Sequence, residues 1–199
     1  AATGQARGFS YDARDSALYA LAVGMARDPM DRRELDFVTP AGPQKTVPTM
    51  AAILEIGNGI HGALPVNQTM TVHGEQRLRL HRPVPVAATV DLDSKVAYCL
   101  DKGEGRGALI GIETEIRLQS GEPLCTLGVT VFARADGGFG GPASGGPAPR
   151  QTPDRAPDFS VTAETQPNQA LLYRLTGDPN PIHYDPAIAA LAGFPRPIL

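Results

Sequence analysis

The sequence predicts an α+β fold in which helical segments precede an antiparallel sheet, and three observations carry that expectation. Two helical patterns lie in the first 59 residues, SYDARDSALYALAVGMARD at 10–28 and TMAAILEIGNG at 49–59. Four strand-like segments joined by short turns follow between residues 69 and 134. A Gly- and Pro-rich stretch at 135–158 then separates them from a shorter block in which a strand and a helix begin again.

The elements can be justified in order. In the first helix Ser10 or Asp12 serves as cap, and Ala17, Leu18, Leu21, Val23 and Met25 supply apolar positions. Residues 28–47 are rich in proline and charge and read as irregular. The second helix is apolar nearly all round, which predicts burial. The strands are TMTVHGEQRLRLHRPV, ATVDLDSKVAYCLD, RGALIGIETEIRLQ and PLCTLGVTVFAR, with DKGEG and Ser120-Gly121 as turns. The stretch ADGGFGGPASGGPAPRQTPDRAPD is too poor in apolar residues to order itself. DFSVTAET restarts with a strand, and PNQALLYRLTG reads as a helix opened by Pro167 and closed by Gly177. Asp185-Pro186 starts a last helix that Gly193 closes. The expected organisation is a first unit at 1–134, a linker at 135–158 and the opening of a second unit at 159–199.

The chain has 199 residues, 20% of them charged and 42% hydrophobic, with a formal net charge of −3. Its Lys and Arg are scattered, so neither nucleic acid nor an anionic membrane is the expected partner. Cys99 and Cys125 sit in strand-like runs and suggest neither a disulfide framework nor a metal site. No stretch has the length and apolarity of a membrane span, and a reducing cytosolic or organellar compartment is expected.

Chemistry concentrates in the loop DPNPIH at 178–183. Residues before proline are pushed toward extended geometry, so Asp178 and Asn180 cannot continue a helix, and two prolines stiffen the connection. The loop brings a carboxylate, Asp178, close to an imidazole, His183, a pairing suited to water activation. On local signs alone the same residues also make an ordinary turn.

The string YRLTGDPNPIHYDP, followed by AGF and PIL, resembles the hydratase motif of the MaoC-like, type-2 enoyl-CoA hydratases. YALAVGMARDP, VPTMAAILEIG, VHGEQRLRLHRPVP, LDKGEG and GGFGGP resemble the first half of the same double hot-dog proteins, among them the hydratase unit of peroxisomal multifunctional enzymes of type 2. The resemblance spans most of residues 10–199. It implies a hot-dog fold, doubled in the parent protein, and (R)-specific hydration of trans-2-enoyl-CoA in fatty-acid or related β-oxidation. It assigns water activation to Asp178 and His183, a loop-shaping and substrate-binding role to Asn180, and contact with acyl-CoA to His73, Gly74 and Lys102. It implies no metal or redox cofactor, acyl-CoA as substrate, a homodimer, and a location that is cytoplasmic in bacteria or peroxisomal in eukaryotes. The family's oxyanion donor is a glycine directly after PIL, so the parent protein is expected to continue past Leu199. The first unit lacks the Asp-x-Asn-Pro-x-His loop. It is expected to be non-catalytic and to make room for a long or bulky acyl chain.

Several residues have plainer readings beside these. His73-Gly74 fits a β-bulge, and Lys102 fits a solvated hairpin lysine. His61 and His81 have no motif support and read as structural. Tyr173 and Arg174 read as packing support for the loop. The GGFGG run has the look of a phosphate loop, but no helix follows it. A 3-hydroxyacyl-thioester dehydratase and a catalytically silent acyl-CoA-binding subunit stay open as alternatives.

Overall fold

A strand that alternation does not reveal comes first. In the computed structural model, which describes residues 2–40, 42–58, 60–148 and 151–198, β1 (Thr3–Tyr11) lies at a sheet edge, paired antiparallel with β3 (Ala88–Asp101). Its sequence TGQARGFSY carries little apolar signal because most of the strand is exposed or half-buried. Polar cross-strand contacts hold it instead: Arg7 donates to Leu92 O at 2.9 Å and pairs with Asp93 at 2.6 Å, and Gln5 donates to Asp93 at 2.9 Å.

Helix α1 (Ala13–Ala22) is capped by Asp12, whose carboxylate accepts from Arg14 N and Asp15 N, while Asp15 accepts from Asp12 N. It ends at Ala22, six residues before the predicted limit; a short helix, α2 (Arg32–Leu35), follows within the irregular stretch. The second predicted helix forms, but as tight 3-10 turns over Pro48–Asn58. It is buried as expected: Met50, Ala51, Ile53 and Leu54 are at most 7% exposed.

The four predicted strands are β2 (Thr71–Leu80), β3, β4 (Ala108–Leu118) and β5 (Pro123–Ala133). With β1 they form one sheet in the order β1-β3-β4-β5-β2, all neighbours antiparallel. The Pro48–Asn58 segment packs across it, and Val90, Leu92, Ile116, Leu124, Cys125 and Leu127 close a core with Met50 and Leu54. A second cluster joins Ile110, Ile112, Val129 and Val131 to Ile60 and Leu64. A five-stranded antiparallel sheet against a central helical segment is hot-dog-like. On the other face Tyr98 lies over Gly111 of the next strand, where a Cβ would come within 2.0 Å of the ring. Its hydroxyl bonds Thr130 Oγ1 at 2.7 Å.

Two expectations about the later chain need correction. DFSVTAET forms no strand: residues 158–165 are exposed and unpaired, with Phe159 and Val161 each 81% exposed. A strand needs a neighbour for its backbone groups, and none lies beside this segment among the described residues. The start of the Gly/Pro-rich stretch is also better ordered than its composition suggests, because the end of β3 supplies the contacts. Asp101, at the end of β3, accepts from Gly103 N at 2.8 Å and from Gly138 N and Gly140 N at 2.7 Å each. Further along, Asp101 N donates to Pro142 O, and Gly146 lies over Tyr98. The GGFGG run therefore wraps a carboxylate of its own chain.

Candidate active site

The DPNPIH loop lies between α3 (Gln169–Tyr173) and α4 (Pro186–Leu191), as the proline and glycine pattern predicts. Helical turns continue through Thr176, Gly177 ends them at φ 127°, and Asp185 caps α4 by accepting from Ala187 N at 2.8 Å. Within the loop Asp178 Oδ1 accepts from Asn180 N at 3.0 Å, and Asn180 Oδ1 accepts from Ile182 N at 3.1 Å. These side-chain-to-backbone bonds fix the turn and aim Asp178 at His183. Asn180 thus has a loop-shaping place.

His183 Nε2 lies 3.4 Å from Asp178 Oδ2, with the two side chains 14% and 21% exposed. The other ring nitrogen, Nδ1, is 2.8 Å from Ile198 O. A carbonyl only accepts, so Nδ1 carries a proton and Nε2 is the exchangeable position. Ile198 is held in turn by its N–H to Ile182 O. The Tyr173 ring meets the imidazole edge-on at 6.3 Å, and Arg174 stacks over Tyr184 at 4.9 Å.

The electrostatics follow from this packing. Burial works to raise Asp178, but His183, the Asn180 N–H and the charge of His61 outweigh it and hold the carboxyl below its usual range. Asp178 raises His183 above its ordinary value; burial opposes this and the Ile198 carbonyl adds to it. Burial pushes the Tyr173 hydroxyl up to about 12, with the charges of Tyr19 and Asp178 adding. The stability that Asp178 contributes is present above the ordinary carboxylate range and lost as pH falls through its lowered value. That of His183 is full below 6.5 and lost as pH rises through its raised value. Between those limits the pair holds the loop most firmly.

The other predicted residues lie away from this pair in sequence but share one end of the sheet. His73 pairs with Val131, which pairs with Ile110, which pairs with Cys99, three residues before Lys102. Gly74 falls at a register shift between His73 and Glu75. A Cβ there would sit 3.1 Å from Thr130 O, so the close backbone approach at this glycine is to β5. The exposed His73 ring folds back, Nε2 3.1 Å from Glu75 O. Lys102 Nζ donates to Ala143 O at 2.9 Å.

Contacts with distant residues, which the sequence pattern does not reveal, seat the loop segment. Gln169, 8% exposed, donates to Ala22 O at 3.2 Å and accepts from Arg27 at 3.4 Å. Arg134, just past β5, donates to Ala192 O at 2.8 Å and lies over the Phe194 ring at 5.7 Å. His61, read as structural, contacts Glu55 at 3.3 Å and is near enough to Asp178 for its charge to be felt there. No short-range pattern links residues so far apart.

Residues 9–135 match the MFE-2 hydratase 2 N-terminal domain, and residues 149–199 match the MaoC like domain. The chain belongs to the MFE-2 hydratase 2 branch of the MaoC-like proteins. It is 39% identical over 210 residues to a peroxisomal enoyl-CoA hydratase 2 of Arabidopsis thaliana, covering 96% of this chain and 67% of that protein. It is 38% identical to 3-hydroxyacyl-thioester dehydratase Y of Mycobacterium tuberculosis, covering 96% of this chain and 66% of that one. A MaoC-like dehydratase from Phytophthora capsici superposes with a TM-score of 0.80 at 32% identity, covering all of this chain and 68% of its own. This MaoC-like chain therefore spans about two thirds of the length of these relatives. No helix among its described residues is long and apolar enough to cross a membrane.

Proposed function

We propose that this chain carries the water-adding site of an (R)-specific enoyl-CoA hydratase of fatty-acid or related β-oxidation, with Asp178 and His183 as the water-activating pair. The observation that supports this most is the locked imidazole: Ile198 O holds Nδ1, so Nε2 faces Asp178 across 3.4 Å. A water seated beside the pair donates one proton to Nε2 and the other to the carboxylate, which leaves an oxygen lone pair aimed outward. Its oxygen bonds C3 of the trans-2-enoyl thioester as its proton passes to Nε2. The C2–C3 electron pair moves through C2 to the thioester oxygen as an enolate, which hydrogen-bond donors must stabilise. Return of a proton to C2 restores the carbonyl and yields the 3-hydroxyacyl-CoA. The same atoms run backwards perform dehydration, consistent with the dehydratase among the relatives.

Nε2 must be free to take a proton, and Asp178 holds His183 above 6.5. The expected pH profile of kcat/KM therefore has an acid limb with its midpoint above 6.5, read from hydration rates between pH 5 and 9. A limb centred below the ordinary histidine value contradicts His183 as the base.

Residues 1–134 are the non-catalytic hot-dog in this reading, 135–158 the linker and 159–199 the opening of the catalytic unit. The sheet end bearing His73, Gly74 and Lys102 receives the coenzyme A moiety, where a lysine suits phosphate oxygens. The Lys102–Ala143 bond is exposed and exchanges readily for a phosphate contact. Lys102→Ala is expected to raise KM for an enoyl-CoA several-fold while leaving KM for the matching pantetheine thioester, which lacks the nucleotide phosphates, unchanged. Equal effects on both substrates count against this placement. The active species is a homodimer, and its mass in solution tests that directly.

A further inference from the structure

The imidazole of His183 is held by a carbonyl that needs holding itself. Ile198 O, 2.8 Å from Nδ1, belongs to a return segment that follows α4. At its far end the segment is tied to the loop by Ile198 N–H, which donates to Ile182 O at 3.2 Å. At its near end α4, only six residues long, closes with Gly193 N to Ala190 O at 3.0 Å and Phe194 N to Ala189 O at 2.9 Å. Between Phe194 and Ile198 lies Pro195-Arg196-Pro197. Each proline ring fixes its own φ and restricts the residue before it, so this spacer is stiff. The place of Ile198 O therefore follows from where Ala192 and Phe194 sit.

Arg134 fixes both of these residues. Its own base is anchored: the main-chain N–H donates to Met70 O, just before β2, at 3.0 Å, and Nε reaches the same carbonyl more loosely at 3.4 Å. Its tip crosses to the return segment, where Nη2 donates to Ala192 O at 2.8 Å and the guanidinium lies over the Phe194 ring, 5.7 Å from the centroid. Ala192 is the C-terminal cap of α4, and the last carbonyls of a helix lack partners within it, so a cationic donor suits that end. Donors on two sides and a flat face for the ring are properties of a guanidinium. A lysine ammonium keeps the charge but cannot make all three contacts at once.

We propose that Arg134 is a positioning residue for His183: by fixing Ala192 and Phe194 it holds Ile198 O against Nδ1, and so keeps Nε2 as the nitrogen open to a proton. The proposal rests on the reading of Asp178 and His183 as the water-activating pair. Without the anchor the stiff return shifts as a unit and Ile198 O leaves the ring. The neutral imidazole then carries its proton on either nitrogen, and a ring protonated at Nε2 cannot act as the base. The protonated ring also loses an acceptor that favours it. The titratable groups that face His183 are Asp178 in the loop and, edge-on, Tyr173 of α3, which is itself faced by Tyr19 of α1. Among the described residues the Arg134 side chain donates to backbone carbonyls, so its effect on His183 passes through the chain to Ile198.

The test uses Arg134→Lys, Phe194→Leu and Asp178→Asn in the full-length protein, with kcat, KM and the pH profile of hydration of a medium-chain trans-2-enoyl-CoA. The His183 ring is read separately by nitrogen-15 resonance in histidine-labelled protein, its signals identified with His183→Gln. Arg134→Lys keeps the charge, so it isolates the geometry. It is expected to lower kcat about tenfold, the scale on which partners that orient an imidazole act, with KM unchanged. The acid limb moves to lower pH, because the imidazolium has lost an acceptor. On the alkaline side of its titration the wild-type ring shows Nδ1 protonated and Nε2 bare; in Arg134→Lys the two signals draw together as both tautomers are populated. Phe194→Leu removes only the ring beneath the guanidinium. It shifts limb and signals the same way by less, and it carries the test if the lysine variant does not fold. A wild-type limb with wild-type ring signals in a folded variant overturns the proposal, even where kcat and melting temperature fall together, the signature of a purely structural arginine. Asp178→Asn separates the two levels. If it turns over normally, the water-activating reading itself fails, and the ring signals still decide whether Arg134 sets His183. If it is inactive while limb and signals of Arg134→Lys are wild-type, only the positioning role fails.

Discussion

Asp178→Asn is expected to cut the hydration rate about 10²- to 10⁴-fold, the range associated with a positioned acid–base group. The loop should survive the change. Asparagine keeps a carbonyl oxygen for the Asn180 N–H that Asp178 Oδ1 accepts at 3.0 Å. What is lost is the charge opposite His183 Nε2 and the second acceptor for a water proton. His183→Ala should lose as much, since nothing else in the loop accepts a proton near neutral pH, but it also removes the link to Ile198 O. Asp178→Asn is therefore the cleaner variant. Its far-ultraviolet circular dichroism and melting temperature check the fold, and loss of the enoyl-thioester absorbance checks the rate. Near-normal turnover by this variant would remove the assignment.

Leu54→Ala is expected to have the largest effect on stability, about 2–5 kcal/mol. Leu54 is 2% exposed in the core where the central segment meets β1, β2 and β3. Sheet and helix close on it from both sides, and a well-packed interior fills such a vacancy only in part. Thermal or denaturant unfolding measures the loss; a change under 1 kcal/mol would mean that the central segment is loosely packed.

The loop and its flanking helices were legible because prolines and glycines dictate local backbone geometry, and local geometry is what a sequence states most directly. Gly177, Asp185 and Pro186 each end or begin a helix where expected. Strands β2 to β5 were legible because one face is buried and alternation records that. Strand β1 was not, since an edge strand exposed along most of its length needs no apolar alternation; Arg7 and Gln5 hold it through polar bonds to β3 instead. The central segment was read as helical from its apolar residues, but nothing in them distinguishes 3-10 from α turns. Glu55 was invisible for a related reason: a lone carboxylate on an apolar helix looks like its solvent-facing residue until the fold shows every side covered. The seating of the loop by Gln169 and Arg134 depends on carbonyls of Ala22 and Ala192, and backbone oxygens leave no mark in the pattern of residue types.

The glycine run around Asp101 gives the sheet an unusual economy. Its amides converge as they do in loops that seat a phosphate, yet the anion they hold is covalently part of the neighbouring strand. Such a seat is filled as soon as the chain folds, at an occupancy no concentration of free anion sets. The turn at this end of the sheet is thus shaped by the chain itself, and inorganic phosphate has no vacancy there to compete for.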